Sequence, residues 1–479
     1  MADISGDIPT IADIKSHVIS FASSNIKDER TSVDIKEYLN CLQPKFDILE
    51  EKKKAQGWLD WAKQLKTLKI VRSSVPIAIL PNGYRGVLID VKVNSPHAPD
   101  DKIYDANEKI RQRVARGNCF LQIENGPHNG TTCVLYALKK FTGGLGDDDD
   151  RDQGDNFTWK KYFTKPLEST ERVVATRKAN GEAAHLSCQI IDGHFVMCGG
   201  SKNVHLLFRR KEDIDRYKEP RYLIAREVCE TVMHYLELMD QNDRFLLLSF
   251  LSHTHFTAVF EILSPVHQHV EDLSHLPRNE LRFITWTEIN IDSSNDGELC
   301  TVPPHVAIEI ARALKLPTVD YDVIPMADLN NRMIEIRKGY NFEGEVLYFL
   351  DEKASVIGLL KKKTIWYILC RATREKVKYA ASACLKSPEG FSISNAIRKL
   401  ETRLDQIQSW LGLDNDGLKH WKELTSKFMR WTVKRVEDSK ITHSDIADRF
   451  PVIWKEFLEE SQSTDNIQFT WKEPEGSDD

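Results

Sequence analysis

Residues 171–210 read ERVVATRKANGEAAHLSCQIIDGHFVMCGGSKNVHLLFRR. The valine-containing start of this stretch predicts a strand that ends near Lys178, and Gly181 permits a turn that a Cβ would crowd. Asp192-Gly193 separates two apolar runs, and this dipeptide is typical of two-residue hairpin turns. The stretch therefore predicts a strand, a loop that carries a lysine, and a β-hairpin.

Lys178 is the candidate nucleophile of this loop. A lysine amine attacks an electrophile only in its neutral form, which nearby cations or partial desolvation favour. Arg177 and Lys202 are the cations that we expect to have this effect. A solvated loop is the alternative for an isolated Lys-x-Asn-Gly turn, so the assignment depends on the rest of the chain.

The composition is that of a soluble, multidomain chain. It has 479 residues, of which 41% are hydrophobic and 29% charged, with a net charge of −6 and nine cysteines without CxxC spacing. No apolar run reaches the about 20 residues of a membrane helix, and the N-terminus lacks the features of a signal peptide. We therefore expect an intracellular protein, cytoplasmic or nuclear, with reduced thiols and no membrane partner.

Residues 1–104 are predicted to form an N-terminal α/β accessory region. Helical periodicity covers residues 11–23 and 33–68, and residues 75–80 and 86–93 are predicted to form a strand pair. This region contains no catalytic motif, so its role is open.

Residues 105–374 form the predicted central domain. Apolar runs predict buried strands at 244–251 and 256–263, and Glu261 in the second run is expected to face a polar site because an unpaired buried carboxylate is costly. Four consecutive aspartates at 147–150 predict a solvated loop, since they lack the spacing of a calcium loop.

Two further strands are predicted at 343–349 and 361–367. Strand alternation puts Lys361 and Lys363 on one face of the second strand. Two lysines on the same face bind a polyphosphate as point charges. A solvated edge strand, in which lysines discourage aggregation, is the alternative.

The C-terminal part is predicted to be helical. Residues 375–462 carry apolar residues at spacings of three and four, which predicts an all-helical domain. Residues 463–479 end in an acidic segment and are predicted to be a disordered tail.

Five short motifs follow one another along the chain in an informative order. They are Lys178-x-Asn180-Gly181, Ser201-Lys202-Asn203, Phe260-Glu261, Glu343-Gly344-x-Val346 and Lys361-x-Lys363-x-x-Trp366-Tyr367. This ordered set resembles the covalent nucleotidyltransferase superfamily of ATP-dependent ligases and capping enzymes. Within that superfamily it is most similar to the T4 RNA ligase 1-like family of tRNA-repair ligases. The resemblance covers roughly residues 110–370, including Arg116-Gly117 and Lys139-x-Phe141.

The resemblance implies an α+β fold. A central nucleotidyltransferase domain with ATP-grasp-like antiparallel sheets would lie between the N-terminal accessory region and the C-terminal all-helical domain. The implied activity is that of an ATP-dependent RNA ligase acting in RNA repair or tRNA processing. It would join 5′-phosphate and 3′-hydroxyl RNA ends through a lysyl-adenylate and an RNA-adenylate. ATP and Mg²⁺, or Mn²⁺, are the implied cofactors.

The resemblance also assigns roles to residues. The implied catalytic residues are Lys178, Lys361 and Lys363. The implied nucleotide-binding residues are Arg116, Lys139, Gly181, Lys202, Glu261, Glu343 and Gly344, and Glu343 is also the implied metal ligand. Because the sequence has no Gly-x-x-x-x-Gly-Lys-Ser/Thr phosphate loop, we expect an end-healing kinase or phosphatase to come from another protein.

The sequence departs from the family pattern at several positions. Asn180 stands where the family has an aspartate, Glu182-Ala183 where it often has Ser-Leu, and Asn203 where it has a glycine. These departures concern substrate contacts more than nucleotide chemistry, because the lysines and glutamates of the pattern are present.

Three alternatives follow from the sequence. A GTP-dependent capping-type nucleotidyltransferase shares the lysine, although capping enzymes carry a strand-rich OB-fold where this chain is helical. A catalytically degenerate RNA-binding relative is the second alternative, because Asn180 replaces the usual aspartate. The third is a 2H-type phosphoesterase, since His185-Leu186-Ser187 and His255-Phe256-Thr257 resemble its paired motifs.

Overall fold

The computed structural model describes residues 8–44, 47–95, 99–147, 158–292 and 298–472. Within these ranges the chain is mixed α/β, with three sheets and a helical C-terminal region. The strand pairs of the sheets are antiparallel apart from one short parallel pair. This architecture agrees with the α+β class predicted from the sequence.

The first sheet contains four strands in chain order. They are β1 (Leu68–Ser74), β2 (Gly86–Val93), β3 (Asn118–Ile123) and β4 (Gly130–Tyr136). The helices of this part are α1 (Ile11–Asn25), α2 (Glu29–Cys41), α3 (Ile48–Lys63), α4 (Asp101–Ala106) and α5 (Glu108–Arg113). Because β2 pairs with β3, the sheet spans the predicted boundary between residues 104 and 105.

Two predictions for the N-terminal region were wrong. The predicted helix at 33–68 is divided, because Pro44 lacks an N–H and disfavours a helix before it, and Asp47 then caps α3. The predicted strand at 75–80 is a loop in which Ala78 has a φ of 69°, a left-handed conformation that no strand contains. The partner of β2 is β1 instead.

The second sheet contains the predicted hairpin. Its strands are β7 (Glu182–Ile191), β8 (His194–Ser201), β9 (Val204–Phe208), β10 (Thr257–Leu263) and β11 (Glu280–Thr287), in the spatial order β11-β10-β7-β8-β9. Asp192 and Gly193 have φ values of 48° and 74°, as a hairpin turn between β7 and β8 requires. The helices beside this sheet are α6 (Lys211–Ile214), α7 (Leu223–Leu238), α8 (Gln241–Thr254) and α9 (Pro304–Ala313).

The strand predicted at 244–251 is part of α8. Asp240 caps this helix by accepting a hydrogen bond from the backbone N of Asp243 at 2.8 Å. The apolar run is buried against β7 on most sides, and periodicity alone does not distinguish a fully buried helix from a strand.

The third sheet carries the lysine loop. Its strands are β5 (Thr142–Gly143), β6 (Arg172–Arg177), β12 (Tyr321–Pro325), β13 (Gly344–Leu350) and β14 (Val356–Lys363), in the spatial order β12-β6-β13-β14-β5. Helix α10 (Leu329–Lys338) lies between β12 and β13 in sequence and packs against β14. β6 and β13 are neighbours, so the residues just outside their ends meet at one edge of the sheet.

The C-terminal region is helical, as predicted. Its helices are α11 (Ile365–Lys386), α12 (Ile393–Leu411), α13 (Asn415–Glu437), α14 (His443–Asp448) and α15 (Phe450–Glu460). They share a core that includes Trp421, Phe428 and Trp454. The predicted strand at 361–367 ends at Lys363 instead, because the Thr364 side chain accepts from the backbone N of Tyr367 at 3.0 Å and begins α11.

Helix α11 continues from the third sheet into the helical core, so the predicted boundary between residues 374 and 375 falls inside it. The disorder predicted for residues 463–479 was wrong for residues 463–472, because Asp465 is buried and accepts from the indole nitrogens of Trp366 and Trp454 at 2.8 and 2.7 Å. The acidic segment 473–479, at the end of the predicted tail, lies outside the described residues. No helix of the described chain combines the length and the apolarity needed to cross a bilayer.

Candidate active site

Lys178 lies directly after β6, at the edge of the third sheet. Its backbone N donates to the backbone O of Gly344 at 2.9 Å, so the loop starts beside the first residue of β13. Its side chain is 21% exposed, which leaves the amine reachable from solvent but surrounded by protein on most sides. The sheet therefore holds the lysine at a fixed point at the entrance to the following loop.

Glu343 is the central acid of the site. Its side chain is 4% exposed, and Oε1 lies 3.0 Å from Nζ of Lys178 and 3.8 Å from Nζ of Lys363. Both lysines lower the pKa of Glu343 to about 2, although burial acts in the opposite direction. The buried carboxylate is thus ionised and held between two ammonium groups.

Asn180 connects this acid to the surrounding chain. Its Nδ2 donates to Oε2 of Glu343 at 2.7 Å and to the hydroxyl of Tyr367 at 3.1 Å, and its Oδ1 accepts from the backbone N atoms of Val270 and Glu271 at 3.0 and 3.1 Å. An ionised aspartate has no donor for Glu343, whereas the amide supplies one. The asparagine is therefore matched to the hydrogen bonds that this site makes.

Two glycines make the close approach of the loops possible. A Cβ on Gly181 would lie 2.1 Å from the backbone O of Ile262 in β10, and a Cβ on Gly344 would lie 2.1 Å from the backbone O of Lys362 in β14. Gly344 also has a φ of +145°, in the region that favours glycine. At each glycine the lysine loop approaches a neighbouring strand more closely than a residue with a Cβ would allow.

Glu261 lies on the second sheet and faces the lysine loop from the other side. Its Oε1 accepts from the backbone N of Gly181 at 3.3 Å. Burial raises the pKa of Glu261, and the charge of Lys178 opposes that effect. The expectation that this strand glutamate faces a polar site is confirmed.

The charges around Lys178 differ from the sequence expectation. Arg177 stacks over the ring of Phe342 at 3.8 Å, and Lys202 forms an ion pair with Asp100, so the expected role of these cations was wrong. Burial disfavours the ammonium form of Lys178, but the nearby carboxylates outweigh burial and raise its pKa. In the protein alone the amine is therefore protonated at neutral pH.

Lys361 and Lys363 lie on one face of β14, opposite Val346 and Gly344 of β13. Lys363 is 3% exposed, and its Nζ lies 5.1 Å from the centre of the Tyr367 ring. The Nζ of Lys361 lies 5.5 Å from the ring centre of Phe141, farther along the strand. The structure thus brings Lys363 to Glu343, and Lys361 occupies the same face beyond it.

Arg116 and Lys202 meet at a second polar group, which we call the Asp100 cluster. Nζ of Lys202 lies 2.6 Å and Nη2 of Arg116 lies 3.6 Å from Oδ2 of Asp100. Glu182, the residue after Gly181, has its pKa lowered mainly by the hydrogen bond to His269 and to a smaller extent by the charge of Lys202. Lys139 has a different partner, because its buried Nζ donates to the backbone O of Glu298.

The sequence interpretation missed two carboxylates of the site. Glu271 accepts from the backbone N of Glu343 at 2.6 Å and has no motif around it. Asp147, the first residue of the predicted solvated run, is 1% exposed and accepts from both terminal guanidinium nitrogens of Arg337 at 2.7 and 2.9 Å. It also accepts from the backbone N of Lys363 at 2.8 Å, which fixes the end of β14. Asp148 to Asp150 lie outside the described residues.

Glu271 makes the stability of the protein dependent on pH. Burial raises the pKa of Glu271 to about 7, whereas the unfolded chain has the ordinary value of 4.5. The folded state then binds more protons between these two values, so stability falls as the pH rises from about 4.5 to about 7.

We expect Glu271→Gln to remove this dependence and to raise the free energy of unfolding above about pH 7 by up to roughly 3 kcal/mol. Glutamine keeps the acceptor for Glu343 without the charge. Thermal midpoints of both proteins at about pH 5 and about pH 8 test this, and an equal pH effect on the two would contradict it.

The fold and the site together define a mixed α/β protein in which the carboxylates of one buried and two half-buried glutamates surround a lysine. The chain belongs to the family described as a domain of unknown function, DUF7920, whose profile matches residues 81–374. The match covers more than half of the chain and includes every predicted site residue. No curated protein matches this sequence.

Proposed function

We propose that this protein is an ATP-dependent RNA ligase of the covalent nucleotidyltransferase class, which joins 5′-phosphate and 3′-hydroxyl RNA ends. The contact of 3.0 Å between Lys178 and Glu343 carries the proposal, because the two residues are far apart in sequence and belong to separate motifs of the resemblance. Glu261 and Lys363 complete the same arrangement from two other strands.

In the proposed first step, Nζ of Lys178 attacks the α-phosphorus of ATP. The new P–N bond forms as the P–O bond to pyrophosphate breaks, and the amine loses a proton. Lys363 and Lys361, on one face of β14, offset the negative charge that develops on the phosphate oxygens. Glu261 accepts a hydrogen bond from the ribose hydroxyls.

Glu343 is the residue that would hold a divalent cation. Its carboxylate oxygens are of the type that Mg²⁺ or Mn²⁺ binds, and water and the ATP phosphates would supply the other ligands, because among the described residues Glu261 and Glu271 are not grouped with it at metal-ligand distance. Mg²⁺ bound at Glu343 would supply positive charge that lowers the pKa of Lys178 and helps to neutralise the phosphates. Lys178 would then lose its proton only in the complex with nucleotide and metal.

In the later steps, an oxygen of the RNA 5′-phosphate attacks the adenylate phosphorus and the P–N bond to Lys178 breaks. The 3′-hydroxyl of the second RNA end then attacks the 5′-phosphorus, and AMP leaves. Arg116 and Lys202 of the Asp100 cluster are the cations that would bind the 5′-phosphate. An end-healing kinase or phosphatase would supply suitable ends.

Incubation with α-labelled ATP or α-labelled GTP and Mg²⁺ tests the proposal. We expect an acid-stable labelled protein with ATP, because a phosphoramidate to lysine survives precipitation. Labelling with GTP alone would indicate the capping-type alternative. No labelling with either nucleotide would indicate a catalytically degenerate RNA-binding relative.

The role of Lys202 separates adenylation from RNA joining. We expect Lys202→Met to keep the labelled adduct but to weaken binding of a 5′-phosphorylated RNA, with the slope of log affinity against log salt falling by about 0.7. Lys218→Met, at an exposed position after β9, is the matched control. Unchanged joining and salt dependence in Lys202→Met would remove this residue from the proposed contact.

A further inference from the structure

A buried group of ligand-type side chains lies outside the lysine site. Asp90, Cys119 and His205 are exposed by 2%, 0% and 1%, and one potential ligand atom of each lies within 4.8 Å of the others. Nδ1 of His205 lies 2.7 Å from Oδ1 of Asp90. None of these three residues has a role in the proposed adenylation chemistry.

The register of the two sheets brings these side chains together. Asp90 and Cys119 are directly paired on β2 and β3, so their side chains point to the same face of the first sheet. On the second sheet, His185 of β7 and His205 of β9 both pair with Gly200 of β8. Because Gly200 has no side chain, the two rings meet above it, with their centres 5.6 Å apart.

The surroundings of Asp90 call for a positive charge. A carboxylate that is 2% exposed is costly unless a cation or several hydrogen bonds stabilise it. Among the described residues, His205 is its ion-pair partner, and no described lysine or arginine lies within 4 Å. The backbone N of His205 adds one long hydrogen bond of 3.4 Å.

We propose that Asp90, Cys119 and His205 bind a structural Zn²⁺ ion between the first and second sheets. Thiolate sulfur, imidazole nitrogen and carboxylate oxygen are the usual zinc ligands, and a thiolate with an imidazole favours zinc over Mg²⁺. Zinc bonds hold tetrahedral ligand atoms about 3.5 Å apart, so the three side chains need only small shifts. Binding releases to solvent the thiol proton of Cys119 and the Nδ1 proton with which His205 otherwise bonds to Asp90.

Two neighbours complete the proposed site. Cys198 lies on β8 on the same face as Gly200, and its thiol interacts with that of Cys119, so it is a candidate fourth ligand. Nε2 of His205 lies 3.3 Å from Nδ1 of His185, which can accept the second ring hydrogen of His205 and so leave Nδ1 of His205 for the metal. Zinc-bound histidines are generally oriented in this way by an acceptor behind them.

The burial of the ligands indicates what the ion does. A catalytic zinc keeps a position open to substrate, whereas all of these ligands are 2% exposed or less. The ion would join β2 and β3 to β9. By holding Cys119, the ion would also steady Arg116, which lies three residues earlier and forms one end of the Asp100 cluster.

Metal analysis of the full-length protein, purified without chelator or added metal, tests this proposal. We expect about one zinc per chain and a lower thermal midpoint after treatment with a zinc-selective chelator, restored by added Zn²⁺. Replacing zinc by Co²⁺ should give thiolate-to-cobalt charge-transfer absorption. Absence of bound metal, with no effect of the chelator, would overturn the proposal and leave a hydrogen-bonded Asp90–His205–His185 network.

Two variants with a matched control sharpen the test. Cys119→Ala should lose the zinc and the cobalt absorption, whereas Cys370→Ala, which removes another fully buried thiol in α11, should keep both. Should Cys119→Ala fail to fold, His185→Phe offers a milder change, with zinc affinity expected to fall about 10–100-fold. Wild-type zinc affinity in His185→Phe together with normal metal content in Cys119→Ala would contradict the assignment.

Discussion

Lys178→Ala is expected to abolish the labelled adduct formed with α-labelled ATP and Mg²⁺. The reaction needs a nitrogen at this position to form the P–N bond. Apart from Lys178 itself, Lys363 is the one lysine among the described residues within 4 Å of Glu343. The loss should be complete rather than partial, because without the covalent step there is no intermediate to transfer. Gel or filter detection of the acid-stable label measures it.

The control for this variant must remove the same side chain, a lysine, at a position outside the candidate site. Lys353→Ala removes an exposed lysine from the turn between β13 and β14, at the opposite end of the same hairpin, and should label like the wild type. Equal labelling of Lys178→Ala and wild type would contradict the assigned nucleophile. Peptide mapping of the labelled wild-type protein identifies the modified lysine independently.

Lys363→Met is expected to slow adduct formation by about 10²–10³-fold, the usual effect of removing one preorganised group that stabilises charge in the transition state. Methionine fills the buried space of a side chain that is 3% exposed while removing its charge. Glu343 retains Lys178 as an ion-pair partner at 3.0 Å, so the site keeps one of its two cations. Single-turnover labelling measures the rate.

The same experiment separates a catalytic effect from misfolding. A slower rate with the wild-type amount of adduct after long incubation indicates lost transition-state stabilisation. A reduced final amount together with a lower thermal midpoint indicates damage to the fold instead. A wild-type rate in Lys363→Met would remove this lysine from the proposed chemistry.

The residues of the candidate site differed in how far the sequence revealed them. Lys178, Glu261, Glu343 and Lys363 stood out because each belongs to a short motif in a recognisable order. Glu271 belongs to no motif, because its contribution is a single hydrogen bond to the backbone of Glu343. Such contacts depend on how a loop folds back, which local sequence does not encode.

The fold shows the same division. The hairpin at Asp192-Gly193 was predicted because its turn depends on the conformational preferences of two adjacent residues. Helix α8 was predicted as a strand because its apolar residues are buried on most sides, which removes the periodicity of an amphipathic helix. Its capping residue, Asp240, was the local signal that identifies it.

Local sequence was enough to predict the hairpin, the helical C-terminal region and a strand that ends just before Lys178, because turn preferences and apolar periodicity act over short stretches of chain. That carboxylates rather than cations surround this lysine and raise its pKa became evident only from the three-dimensional arrangement of the strands. That arrangement alone also brought Asp90, Cys119 and His205 together from three strands. Both features arise from strand register across sheets, which is set by packing between residues distant in sequence.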